Sequence, residues 1–435
     1  MFNLKNLLNS DIGVSTIINL FTKVIGLVGG FILTLLITNY FGLKTLGVYT
    51  TVFTLISLST LLGKFGLDIL AIKLMAEKDS TNMRQLIYKK LFIQVFLISI
   101  IVSLIFYFSS TFIVGELLGK DEIIYVTKIS SISIIPFSLF YLNIETLRGC
   151  GKITIYSFMY SSIIVVLNVL IIVAFIIFSQ IEFNSELVVY ILLISIFFSF
   201  IISLVLVINV LYKGDFLFLF RNKNNFDFSL LKISAPLLFS GVLYMLMSRM
   251  DILMLNRFSD LQTVGSYNII LKFSSLLPIG VLATNAMVGP KYSKYFFDKK
   301  FNEMENLALN STRIIFLVGL CVFIVLFIFR TRLISIFDID YNNVKTTYFI
   351  AISLSFIYAI TGAVGLILQM TGKQNIQMYI SFLALIINII LNVVLIPIYG
   401  LSGAIFSTYL SLILLNITLS IIVKKEFGIS TIIKL

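Results

Sequence analysis

Histidine and tryptophan are absent from this chain of 435 residues, and it holds only two cysteines. Without histidine there is no imidazole acid–base chemistry and no histidine-ligated metal. Cys150 and Cys321 lie far apart in apolar segments, at no metal-binding spacing, and are expected as small buried side chains. Charge is scarce too. Asp, Glu, Lys and Arg make up 12% of the residues, where a soluble domain carries about 25%. Apolar residues fill the space: 59% are hydrophobic and the mean hydropathy is +1.07. Water cannot be the solvent for so much apolar surface, so the chain is expected in a lipid bilayer. The net charge of +12 then has its simplest cause in basic cytoplasmic loops, and no nucleic-acid partner is expected.

A spanning helix takes about 20 mostly apolar residues. Twelve segments qualify: 14–40, 45–66, 91–115, 123–145, 154–179, 187–211, 231–256, 264–287, 309–329, 346–369, 376–398 and 401–423. The first is preceded by Lys5 as its only basic residue and has no small-residue cleavage site after it. It also exceeds the roughly 7–15 residues of a signal-peptide core, so it is expected to stay in the membrane. The longest connections, 67–90, 212–230 and 288–308, are rich in Lys, Arg, Asn and Asp, and none is long enough for a soluble domain. With the N-terminus inside, 21 basic residues fall on the inner side and seven on the outer. That bias, with an even number of spans, predicts both termini in the cytoplasm.

The chain repeats itself. NYFGLKTLGVY at 39–49 and NRFSDLQTVGSY at 256–267 mark the same outer turn, with Gly47 matching Gly265 and Tyr49 matching Tyr267. LRGCGKITIYSF at 147–158 resembles LQMTGKQNIQMY at 368–379, with Gly151 on Gly372, and LNV at 167–169 recurs at 391–393. All three matches keep nearly one offset. Each half therefore holds six spans entering from the same side, a parallel repeat about an axis normal to the membrane, and transporters built this way bind substrate between the halves near the midplane. The expected fold is all-α, with a six-helix lobe at 1–212, a cytoplasmic linker at 213–230 and a second six-helix lobe at 231–435. Within the linker, FLFLF beside Arg221 and Lys223 fits either an inner-leaflet anchor or a plain tether. The GCGKIT stretch lacks the remaining residues of a phosphate-binding loop and is accounted for as a helix turn. With no ATP site, energy must come from ion gradients, membrane potential or substrate supply.

The two-half architecture, Gly-x-Tyr after the first outer turn of each half, the Gly-Lys turns and MDILML at 250–255 resemble the polysaccharide-flippase branch of the multidrug/oligosaccharidyl-lipid/polysaccharide exporter superfamily. Within it, the chain is similar to Wzx-type flippases of O-antigen and capsule repeat units. The resemblance implies a MATE-like transporter of the bacterial cytoplasmic (inner) membrane that moves an undecaprenyl-pyrophosphate-linked oligosaccharide from inner to outer leaflet. It implies no cofactor, H+ or Na+ as coupling ion, and a polysaccharide polymerase with its chain-length machinery as partners. The lipid II flippase carries two further C-terminal helices, which this chain does not show.

Charges within spans are costly and tend to be functional or paired. Five stand out: Lys23, Lys64, Arg249, Asp251 and Lys272. Four are cationic, which suits an anionic pyrophosphate crossing a low-dielectric layer, with Arg as a planar fork and Lys as a point charge. Substrate binding is assigned to Lys23, Arg249, Lys272 and Lys64, and gating or ion coupling to Asp251. Each has a structural alternative. Lys23 can pair with Asp251, and Lys64 and Lys272 can snorkel. Near Lys23, Gly26, Gly29 and Gly30 permit close approach of another helix. Glu145 and Arg148 are expected to pair, and Asn168 and Asn392 to bond between helices. Two rival readings remain. A membrane polymerase would need a sizeable outer loop with acidic or arginine residues. A cation-efflux antiporter of the same superfamily would need an acidic rather than a basic interior.

Overall fold

The computed structural model describes residues 11–77, 80–178, 184–215, 227–362 and 364–431, and all regular structure among them is helical. The chain divides into two compact units, residues 1–245 and 246–435.

In the first unit, α1 (Asp11–Phe41) and α2 (Leu43–Lys64) meet at the turn that the repeat marks, where Gly42 takes φ 85°. There follow α3 (Leu67–Glu77), α4 (Thr81–Ser110), α5 (Ile124–Ser130), α6 (Ile134–Gly149), α7 (Ile153–Ser161), α8 (Ile163–Phe178) and α9 (Ser185–Tyr212). The hub is α6, which packs against α2, α3, α4, α7 and α9. Phe137, Leu139, Phe140, Leu142, Ile144 and Leu147 are buried along it. A helix apolar on all sides belongs at the centre. A polar chain crosses it at Asn143, which accepts from the Tyr88 hydroxyl of α4 at 2.7 Å and donates to Ser203 of α9 at 3.0 Å. Hydrocarbon offers polar groups no partner, so this chain holds three helices in one register.

Close approach requires glycine at two places. A Cβ on Gly26 of α1 would lie 2.3 Å from the Ser161 carbonyl oxygen, at the break where α7 and α8 bend by 48°. The Ser162 hydroxyl ties the same break to the Thr22 carbonyl at 2.7 Å. Gly66, between α2 and α3, meets the backbone of Ser234 and Leu238 in the first half of α10 (Phe228–Phe258). That packing carries the first unit on to residue 245, inside α10.

The second unit holds the rest of α10, then α11 (Leu261–Ser274), α12 (Ile279–Phe297), α13 (Phe301–Ile328), α14 (Arg330–Ser335), α15 (Tyr341–Ile360), α16 (Val364–Met370) and α17 (Gln374–Phe427). Asp260 caps α11 by accepting from Thr263 N–H at 2.8 Å. α17 packs along α15 and α16, and α13 along α12 and α15. The repeated Gly-Lys turns share one geometry. Gly151 sits at φ 79° and Gly372 at φ 76°, and the next N–H returns to the helix end: Lys152 to Leu147 at 2.9 Å, Lys373 to Leu368 at 2.8 Å. This is a left-handed helix stop, which glycine makes without strain.

Several expectations need correction. The connections 67–90 and 288–308 are mostly helical, forming α3 with the start of α4, and the end of α12 with the start of α13. In α3 the buried residues Leu67, Leu70, Ala71 and Met75 form a helical stripe too short for a search based on spanning length. Among the described residues, nine helices are long and apolar enough to span, or ten with the bent α7–α8 pair. Nine or ten such helices, one of them kinked at Gly400, do not confirm the count of twelve. The segment 264–287 is interrupted between α11 and α12. α17 is two helices that meet at a kink, where Gly400 is non-helical just after Pro397, and the kink falls between the expected segments 376–398 and 401–423. Neither cysteine is buried: Cys150 is half-exposed and Cys321 exposed. In a bilayer the outer face is itself apolar, so a thiol there is not forced inward. Phe108 and Phe178, 77% and 85% exposed, fit the same lipid-facing surface. Asn168 and Asn392 bond within their own helices, to the Ile164 carbonyl and to Asn388, and the Oδ1 of each has no partner. The FLFLF stretch with Arg221 and Lys223 lies outside the described residues.

Candidate functional site

Two polar clusters stand out from the apolar packing. The first lies in unit 1, where α2 ends at Lys64 and Phe65 turns left-handed. Lys64 Nζ lies 2.5 Å from Asp68 Oδ2, with the two side chains 14% and 3% exposed. The same Nζ sits 4.6 Å from the ring centroid of Tyr141 on α6. One turn along α6, Glu145 accepts from Arg148 at 3.3 Å and from the Tyr156 hydroxyl of α7 at 3.2 Å. The Arg148 guanidinium also lies 4.9 Å from the Tyr156 ring centroid. Tyr160 closes the group, 5.4 Å from Tyr156 and 6.2 Å edge-on from Tyr141. Two cations thus meet two carboxylates beside three tyrosine rings. Such pairing is what a buried carboxylate requires.

The second cluster lies in unit 2. Asp251 of α10 is buried. Its carboxylate accepts from the Tyr267 hydroxyl of α11, from Thr408 of α17 at 3.3 Å and from its neighbour Ile252 N–H at 2.8 Å. Beside it, the Tyr409 hydroxyl donates to Ser274 Oγ at 2.7 Å, and Ser355 of α15 donates to the Ser274 carbonyl at 2.7 Å. Hydroxyls from three helices, α11, α15 and α17, gather around one acid of α10, and the repeat's second tyrosine, Tyr267, bonds it directly.

The five charges expected within spans fall in distinct settings. Lys23 is exposed on α1, next to buried Thr22. Lys64 turns onto Asp68 and Tyr141 rather than reaching to the interface. Arg249 and Lys272 are half-buried on α10 and α11. Asp251 is held by hydroxyls as described. Glu145 and Arg148 pair, at 3.3 Å. Sequence reasoning missed Asp68, Tyr141, Tyr156, Tyr160 and Thr408. The signal for Asp68 was its place four residues after Lys64, hidden when 67–90 is read as a loop. No local signal marks Thr408, which meets Asp251 only through the packing of α17 on α10.

The family model described as Polysaccharide biosynthesis protein matches residues 8–296, and the one described as MatE matches residues 236–394. The capsular polysaccharide biosynthesis protein CapF of Staphylococcus aureus is 29% identical over 177 residues, 40% of this chain and 44% of that protein. The match therefore spans less than half the length of that relative. Among solved structures, the lipid II flippase MurJ in an inward closed conformation superposes with a TM-score of 0.73 at 17% identity, covering 94% of this chain and 87% of that one. An inward-facing multidrug resistance MATE transporter of the MOP superfamily gives 0.71 at 12% identity, covering 95% and 98%. At these identities the structures establish the fold, that of MATE- and MurJ-like membrane transporters. With a family match over well more than half its length, the chain belongs to the polysaccharide biosynthesis protein family.

Proposed function

We propose that the protein carries an undecaprenyl-pyrophosphate-linked oligosaccharide from the inner to the outer leaflet of the bacterial cytoplasmic membrane. Two six-helix lobes, 1–212 and 231–435, joined by the linker 213–230, work by alternating access. The family match over residues 8–296 carries this reading. The sign of the intramembrane charges supports it, since four of the five are cationic and the head group is anionic. Lys23 and Arg249 take the pyrophosphate, Lys272 serves the same head group, and Lys64, paired with Asp68, lines the path of the rest of the substrate. Asp251 is the gating or ion-coupling group: a carboxylate held by hydroxyls can exchange H+ or Na+ by re-orienting Tyr267 and Thr408 alone.

Deletion of the gene tests the reading. Completed single repeat units should accumulate on the inner leaflet and surface polysaccharide should be lost, with both restored by the wild-type gene. Lys23→Ala or Arg249→Ala should insert normally and fail to restore them. Single units that reach the outer face but never lengthen would point to a polymerase instead. The MatE match over residues 236–394 favours a second reading, small-molecule efflux by the same fold. Drug sensitivity of the deletion strain with normal surface polysaccharide would select it.

A further inference from the structure

We propose that the tyrosine face in the first unit is a carbohydrate-binding site that takes the sugar part of the cargo; this rests on the flippase reading above. Tyr141, Tyr156 and Tyr160 come from two helices and bring their rings within 5.4–6.2 Å of one another. The face is open: Tyr160 is 54% exposed, and Tyr141 and Tyr156 are half-buried. Behind the rings stand two carboxylates, Asp68 and Glu145, 2% and 7% exposed. Asp68 is salt-bridged through Oδ2, while its buried Oδ1 has no hydrogen-bond partner. A buried acceptor left unmatched calls for a donor from a ligand or water.

The chemistry selects the ligand class. A pyranose offers an apolar C–H face rimmed by hydroxyls. Tyrosine rings take the face, and carboxylates accept the hydroxyl protons. Lys64 and Arg148 are already neutralised by Asp68 and Glu145, so the cluster presents no net positive charge. A pyrophosphate would find no surplus of positive charge here to hold it. The site therefore suits the neutral sugar, and the pyrophosphate is left to Lys23, Arg249 and Lys272. Under the positive-inside orientation, the nearby Gly151–Lys152 turn lies on the cytoplasmic side, where a lipid-linked unit is loaded.

Because the chain has no tryptophan, Tyr160→Trp places a single indole on this face. The variant is reconstituted in nanodiscs of phosphatidylethanolamine and phosphatidylglycerol. It is then titrated with undecaprenyl pyrophosphate, with undecaprenyl-pyrophosphate-linked N-acetylglucosamine, and with tetraphenylphosphonium. The expected result is a saturable change of indole emission with the sugar-bearing lipid alone. Equal responses to both lipids, or a response to the organic cation, would overturn the proposal in favour of a phosphate or cation pocket. A second pair of variants covers loss of binding through misfolding. In a leaflet-translocation assay, Tyr160→Phe should keep the wild-type half-saturating concentration, while Tyr160→Leu raises it about tenfold, the scale of one aromatic contact. An unchanged half-saturation for Tyr160→Leu in a translocating protein also overturns it. Failure of the wild type to translocate, with the sugar-dependent emission retained, would sink the flippase reading and leave the sugar face standing.

Discussion

Asp251 concentrates the questions at the residue scale. Its partners are the Tyr267 and Thr408 hydroxyls and one backbone N–H. An asparagine there keeps one acceptor oxygen for the Tyr267 and Thr408 hydroxyls and gives up only the bond from the Ile252 N–H, so Asp251→Asn should fold. In vesicles with imposed gradients it should transport without the dependence on a proton or sodium gradient that the proposed coupling role predicts for the wild type. Gradient dependence that survives the substitution would make Asp251 a structural acid. Asn143 is the stability counterpart. Asn143→Leu takes the acceptor from the buried Tyr88 hydroxyl, which costs about 1–3 kcal/mol, while Ser203 keeps its bond to the Phe200 carbonyl. Its melting temperature in detergent should fall, and adding Tyr88→Phe should restore part of the loss.

At the scale of elements, α10 is the shared piece, because its first half packs in unit 1 and its second half carries Arg249 and Asp251. Its start is pinned. Asp227 accepts from the Ser229 hydroxyl at 2.5 Å and from its N–H at 3.1 Å, and lies 3.3 Å from Lys90 of α4. The Ser229 bonds, and then Lys90, hold the Asp227 carboxyl below the usual carboxylate range. A lowered folded-state value stabilises at pH above the ordinary carboxylate value, and the effect is lost as pH falls through the folded-state value. Asp227→Ala should therefore melt below wild type at pH 7, and the two should converge on acidification. A gap that stays constant with pH would mean the charge contributes nothing.

The elements also show why part of the fold was readable in advance. The outer turns at 41–43 and 258–261 and the Gly-Lys turns were visible because glycine and capping residues mark them in both halves. The helices α3, and α12 with the start of α13, were not visible. Their apolar stripes are short and mixed with charge, so a length criterion built for spans passes over them. The candidate cations were legible as charges in apolar runs. Their partners were not, because Lys64–Asp68 depends on a helix that had been read as a loop. Asp251–Thr408 joins residues 157 apart in sequence, and only tertiary packing brings these together.

For the whole molecule, the account claims that a cationic transporter of this fold moves a lipid-linked saccharide across the bilayer, loading it on the side that holds the basic excess. Orientation follows from it. A cysteine introduced at Lys299 or Lys373 should react with an impermeant maleimide only after the membrane is opened, and one at Lys120 should react in intact cells. Reversed labelling would invert the loading direction. The central claim is tested most directly in liposomes holding the purified protein and an undecaprenyl-pyrophosphate-linked saccharide with a fluorescent tag, read by an impermeant quencher. The account predicts that wild-type protein lets the quencher reach nearly all of the tag, while protein with both Lys23→Ala and Arg249→Ala leaves the inner-leaflet half protected, as in empty liposomes. Equal quenching by the wild type and by the doubly neutralised variant would contradict it.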